Sequence, residues 1–145
     1  MKKSPQIEQA FFASWVISLI AFGGSLYFSE VMKFIPCELC WYQRIFMYPL
    51  VILLGVAYAK KDFSMSRYAV ILSVIGGSIS LYHYLIQKVP ALHEWGSACG
   101  IIPCNTDYIN WLGFITIPFL ALVAFILIAG LQVFIWKKEK ETDAA

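Results

Sequence analysis

Charge is missing from four long stretches of this 145-residue chain, and that absence constrains the fold more than any motif does. No Asp, Glu, Lys or Arg falls between Glu8 and Glu30, between Arg44 and Lys60, between Arg67 and Lys88, or between Asp107 and Lys137. A helix crossing about 30 Å of hydrocarbon needs roughly 20 apolar residues. Three gaps are long enough, and the second run reaches that length by beginning near Cys40 and carrying Arg44 in its first turns, which places predicted spans at about 10–28, 41–59, 68–86 and 111–136. Inside lipid a backbone must satisfy its own N–H and C=O groups, so these runs predict an all-α membrane protein. The expected architecture is a single four-transmembrane-helix bundle over residues 1–145. Composition agrees: 14% of residues are charged and 60% hydrophobic, where soluble domains carry about 25% charge.

Lys2 and Lys3 ahead of the first run suggest a signal peptide. The run exceeds the 7–15 residues of a signal core, and "LYFSE" offers no small-residue cleavage site, so it reads as a retained span. Eight of the eleven Lys and Arg residues lie in the N-terminus, the loop containing Lys60, Lys61 and Arg67, and the C-terminal tail. Positive charge marks the cytoplasmic side. Both termini are therefore expected on the cytoplasmic side of the cell (plasma or inner) membrane, with outer loops at about 29–40 and 87–110. The net charge of +2 sits at membrane edges and says nothing of nucleic acid. All four cysteines, Cys37, Cys40, Cys99 and Cys104, fall in the outer segments, on the oxidising face where disulfides persist. Topology and cysteine placement come from different residues and agree.

Small residues in the third run (Ser73, Gly76, Gly77, Ser80) recur four apart, a spacing that lets helix backbones approach in lipid. Gly23, Gly24 and Ser25 are expected to do the same in the first. Pro49 and Pro118 lie inside the second and fourth runs, where a proline removes a donor and tends to bend a helix. A bend opens a ligand-sized gap or merely shapes the bundle. Trp41, Tyr42, Trp95, Trp111 and Trp136 read as interfacial aromatics.

The chemistry centres on "IPCELCWYQR", residues 35–44. Cys37 and Cys40 stand where an apolar helix begins, and unsatisfied N–H groups there favour thiolate over thiol. Arg44, four residues on, shares a helix face with Cys40. An arginine within a span usually marks function, the alternative being a side chain that snorkels to the interface. Cys99 and Cys104 lie in "SACGIIPCN". Loops this short make poor structural staples. Four thiolates could also hold zinc, but the spacing resembles no usual finger and an oxidising face disfavours free thiolates. The favoured reading is a redox relay without metal. A loop pair can exchange disulfides with a soluble partner, while a pair at a helix mouth can meet a molecule dissolved in the bilayer. Recharging a strongly oxidising partner near −120 mV from a glutathione pool at about −180 to −210 mV is uphill by roughly 3–4 kcal/mol. A lipid-soluble acceptor of higher potential, such as a quinone, removes that obstacle.

"PCELCWYQR", the two outer cysteine pairs, the four spans and "NWLGFITIP" resemble the disulfide bond formation protein B (DsbB) family, with the short second pair similar to its Gram-positive BdbC branch. The resemblance implies a thiol:quinone oxidoreductase that reoxidises a DsbA-like thioredoxin-fold partner and passes two electrons to menaquinone or ubiquinone. It implies redox disulfides Cys37–Cys40 and Cys99–Cys104. Cys99 would exchange with the partner, Cys104 would resolve, and Cys37 would link to Cys104 between loops. Cys40 would be quinone-proximal, with Arg44 beside the ring. His83 matches a family histidine near the outer end of span three; an interfacial polar residue is the other reading. His93 reads as a loop residue. The loop between Cys99 and Cys104 is much shorter than in the better-known branch, which limits the travel of Cys104.

Overall fold

The computed structural model describes residues 4–94, 101 and 112–144. Four helices are long and apolar enough to cross a membrane. These are α1 (Pro5–Leu26), α2 (Glu38–Lys60), α3 (Ser66–Lys88) and α4 (Ile117–Ala144). Among the described residues the fold is helical, with no sheet. Each helix packs against its sequence neighbours and α4 closes back on α1, while α2 and α4 barely meet across the diagonal. The short connection between Lys60 and Ser66 makes α2 and α3 antiparallel. The start of α2 and the end of α3 therefore share one end of the bundle.

Helix boundaries follow local chemistry. Beyond Leu26, α1 continues through one wide π-type turn, Tyr27–Val31, and stops where Lys33 adopts a left-handed φ of 57°. Pro36 then precedes Cys37, whose extended backbone (φ −74°, ψ 174°) caps α2. At the far end Lys61 is left-handed (φ 53°), and Asp62 N–H reaches Ala57 O at 2.9 Å, closing the helix with the pattern that usually employs glycine. α4 starts at Ile117, well inside the fourth apolar run. Leu112 (φ 55°) and Gly113 (φ 82°) hold turn conformations that a helix cannot include. Pro118 consequently sits in the first turn of α4, where its missing N–H costs nothing. The bend expected from Pro118 is absent for this reason; Pro49 does lie inside α2.

The core is built from Phe11, Leu50, Leu54, Phe63, Phe125 and Ile128, with the Phe11 and Phe63 rings 5.2 Å apart. Ser73, Gly76 and Ser80 form the buried stripe of α3. A Cβ added at Gly76 would stand 2.4 Å from the Phe125 ring, so the small residue is what lets α4 lie this close. In α1 the expectation fails for the glycines. Gly23 and Gly24 face open space and Gly24 borders a cavity, while Ser25 meets Tyr48 Oη of α2 at 3.4 Å. Large apolar side chains such as Ile20, Ile52 and Ile126 are exposed on the outside of the bundle. Such a surface is a liability in water and the ordinary state against lipid tails. At the end away from the cysteines Lys61 pairs with Glu8 at 3.3 Å and Lys138 donates to Gln6, tying α1 to its neighbours.

Candidate functional site

The first turn of α2 positions the sulfurs. Cys37 is the cap and Cys40 lies three residues on, so both stand beside N–H groups that have no partner within the helix. Their Sγ atoms are 3.6 Å apart, with Cys37 donating to Cys40. From the last turns of α3 the buried His83 ring reaches across. Its Nε2 is 3.5 Å from Cys37 Sγ, and its Nδ1 is 4.0 Å from Cys40 Sγ. The fold thus brings to the cysteine pair a ring that is 43 to 46 residues away in the chain. His83 is 1% exposed, so the interfacial reading of this residue does not hold. His93 follows a short turn after α3 and meets Ile86 O at 3.3 Å, away from the sulfurs. Cys99 and Cys104 lie outside the described residues.

Gln43 completes the cluster, and sequence reasoning missed it. Its Nε2 lies 2.9 Å from His83 Nδ1, and the residue is buried. A lone glutamine forms no motif; the available signal was a neutral polar residue one helical turn beyond Cys40 in an apolar helix. With Gln43 donating to Nδ1, the ring proton sits on Nε2 and points at Cys37. Donors then run in one direction, from Gln43 to His83 to Cys37 to Cys40.

That direction makes the two sulfurs unequal. The Cys37 thiol is pushed up from its ordinary value of 9.0 to about 12, foremost by the hydrogen bond it gives to Cys40 and then by burial, with His83 pulling the other way. The helix terminus does not turn both cysteines into thiolates, because the first keeps its proton to serve the second. Near neutral pH Cys37 keeps its proton, and the thiolate is the reactive form. In reduced protein, alkylation is therefore expected at Cys40 well before Cys37. Modification of Cys37 should rise about tenfold per pH unit toward pH 12, and equal labelling of the pair near neutrality, read by mass spectrometry, would contradict this.

Cys40 opens onto a cavity of about 360 Å³ between α1, α2 and α4, within the usual size of small-molecule pockets. The wide α2–α4 diagonal and the small residues Ala21, Gly24, Ala121 and Ala124 leave this space. Its walls are mainly apolar. Ile20 and Ile35 line it and are also exposed, so it opens to the outside of the bundle. The polar groups at its lining include Cys40, Gln43, Arg44 and Tyr48.

Arg44 is held in place. Its Nη2 donates to Ser25 O at 3.1 Å and to Ser29 Oγ, and its guanidinium stands 5.3 Å from the centre of the Trp41 ring. The π-type turn after α1 presents Ser29 to it, so an irregularity in the helix has a local use. Sequence reasoning placed the arginine beside Cys40, and the cavity has both in its wall.

A family model described as disulfide bond formation protein DsbB matches residues 7–135. The chain belongs to the DsbB family. Within it, the chain is 58% identical over 129 residues to probable disulfide formation protein C 1 of Bacillus anthracis, covering 89% of this chain and 93% of the relative. It is 59% identical over 117 residues to disulfide bond formation protein C of Bacillus subtilis strain 168, covering 81% and 85%. A probable disulfide formation protein of Oceanobacillus iheyensis is 49% identical over 141 residues, covering 96% and 97%. No solved structure matches the chain. Membership of the DsbB family makes this membrane protein a thiol oxidoreductase of disulfide formation.

Proposed function

We propose that the chain reoxidises a DsbA-like, thioredoxin-fold dithiol partner outside the cytoplasm and delivers two electrons to a membrane quinone, menaquinone or ubiquinone. The observation that carries this reading is the cavity: a mainly apolar chamber open to the outside of the bundle, with a cysteine sulfur and an arginine in its wall. A lipid-soluble, flat, carbonyl-bearing acceptor suits those walls, and Arg44 supplies a cationic donor for a carbonyl oxygen.

In this reading the loop pair keeps the roles that the family resemblance implies. Cys99 takes the partner's electrons by thiol–disulfide exchange and Cys104 resolves the mixed disulfide. Cys37 receives attack from the loop pair, and Cys40, which lines the cavity, passes the electrons on. His83 donates its Nε2–H toward the Cys37 sulfur, with Gln43 fixing the ring. The quinone supplies an acceptor of two electrons and two protons. The balance closes without a further reductant: partner dithiol and quinone become partner disulfide and quinol. The cysteine-bearing end lies on the extracytoplasmic side in this reading, because the lysine-rich Lys60–Lys61 end is opposite.

Turnover tests it. The purified protein, in catalytic amount with excess reduced thioredoxin-fold partner, is expected to bleach quinone absorbance in step with partner oxidation. Partner oxidation without loss of quinone would overturn the assigned acceptor.

A further inference from the structure

We infer that the reduced Cys37–Cys40–His83 cluster is also a binding site for a soft divalent cation, Zn²⁺ foremost, which captures the dithiol and releases it on oxidation. The three ligand atoms lie within 4.8 Å of one another. Zn–S bonds of about 2.3 Å and Zn–N bonds of about 2.0 Å at tetrahedral angles set an S–S edge of about 3.8 Å and an S–N edge of about 3.5 Å. The observed edges are 3.6 Å between the sulfurs and 3.5 Å from Cys37 Sγ to His83 Nε2. The third edge, from Cys40 Sγ to the ring, lies within 4.8 Å, and closing it by about 1 Å would complete three corners of the tetrahedron.

Two further observations fit a cation. Metal-bound histidines nearly always donate their other ring N–H to an acceptor that fixes the ring. Gln43 occupies that position, 2.9 Å from Nδ1, and turning its amide over presents the oxygen as acceptor. Charge is the second point. Cys37 and His83 are buried, where net charge is costly. Two thiolates and one divalent ion sum to zero, so the loaded site is neutral. The ligand set of two sulfurs and one imidazole excludes hard Mg²⁺ and Ca²⁺.

Loading is a plain exchange: one M²⁺ enters, both thiols lose their protons, and two H⁺ leave. No electrons move. Because the same two sulfurs form the disulfide, metal and disulfide exclude one another. Capture therefore responds to redox state, and a loaded chain cannot pass electrons until the ion departs. The fourth corner is open to water or another donor. The stall in turnover rests on the function proposed above; the binding does not.

Cobalt(II) is the probe, with the Cys99→Ser/Cys104→Ser double variant used so that the loop thiols cannot compete. Reduced protein is expected to take up one Co²⁺ per chain, with thiolate-to-cobalt charge transfer and the intense visible bands of a tetrahedral site, and Zn²⁺ should displace it. The same protein with Cys37 and Cys40 oxidised should bind none, a comparison that needs no substitution in the cluster. Gln43→Ala should weaken binding about 10–100-fold, as loss of a partner behind a ligand does. Octahedral cobalt spectra, or equal uptake by oxidised and reduced protein, would overturn the site. Since no quinone is present, these outcomes are independent of the quinone reading.

Discussion

Cys40→Ser is expected to cut quinone reduction by at least about 10³-fold, the scale of losing a group that makes the covalent step, while leaving the bundle folded. Cys40 is half-buried at the start of α2, and its sulfur lines the cavity wall, outside the apolar core around Phe11, Leu54 and Phe125. Serine in its place removes no large packing contact. It removes the only described thiol in the cavity lining, and a hydroxyl cannot form the disulfide that the proposed route requires. Helical circular dichroism and detergent-extracted yield should match the unaltered protein. Undiminished quinone reduction by the variant would mean that another group delivers the electrons.

The second large effect is expected at Arg44. Arg44→Lys keeps the charge but loses the planar fork, and with it the pairing to Ser25 O and Ser29 Oγ that holds the guanidinium in place. Arg44→Met removes the charge while keeping much of the apolar stem. A hydrogen bond to a charged group contributes about 1.5–3 kcal/mol, so the methionine variant should raise the quinone KM by roughly 10–100-fold, with a smaller change in kcat. The lysine variant should fall between. Arg44 also stands over the Trp41 ring, which is the contact a purely snorkelling side chain would keep. An unchanged KM in both variants would reduce Arg44 to that role.

Much of this was legible from residues because lipid enforces simple rules. The four uncharged runs predict four helices, since no other backbone arrangement of that length survives in hydrocarbon without pairing elsewhere. Gly76 could be read as a close-packing residue, and Phe125 fills the space it leaves. Two kinds of feature were not legible. The first depends on where a helix starts: Pro118 looks like an interior kink until the turn at Leu112 and Gly113 moves the beginning of α4 to Ile117. The second depends on which faces stay apart. The cavity exists because α2 and α4 face each other across a diagonal, and sequence periodicity does not report the distance between non-adjacent helices. Gly24 illustrates both. It reads as a packing glycine and turns out to border the open space.

The cysteine pair shows a finer limit. A CxxC at a helix start predicts activated thiols, yet the activation is one-sided. Only the fold reveals that Cys37 is buried and donates to Cys40, so that this thiol stays protonated against the pull of His83 while Cys40 faces the cavity.

Electron transfer from the Cys37–Cys40 dithiol into the cavity is tested most directly by a single turnover. Fully reduced Cys99→Ser/Cys104→Ser protein is mixed anaerobically with one equivalent of quinone, and quinol and thiol are quantified together. One quinol and one Cys37–Cys40 disulfide per chain are expected, with neither formed when Cys40 is serine. Quinone left intact beside a reduced pair would contradict the transfer, whatever the protein does with its thiol partner.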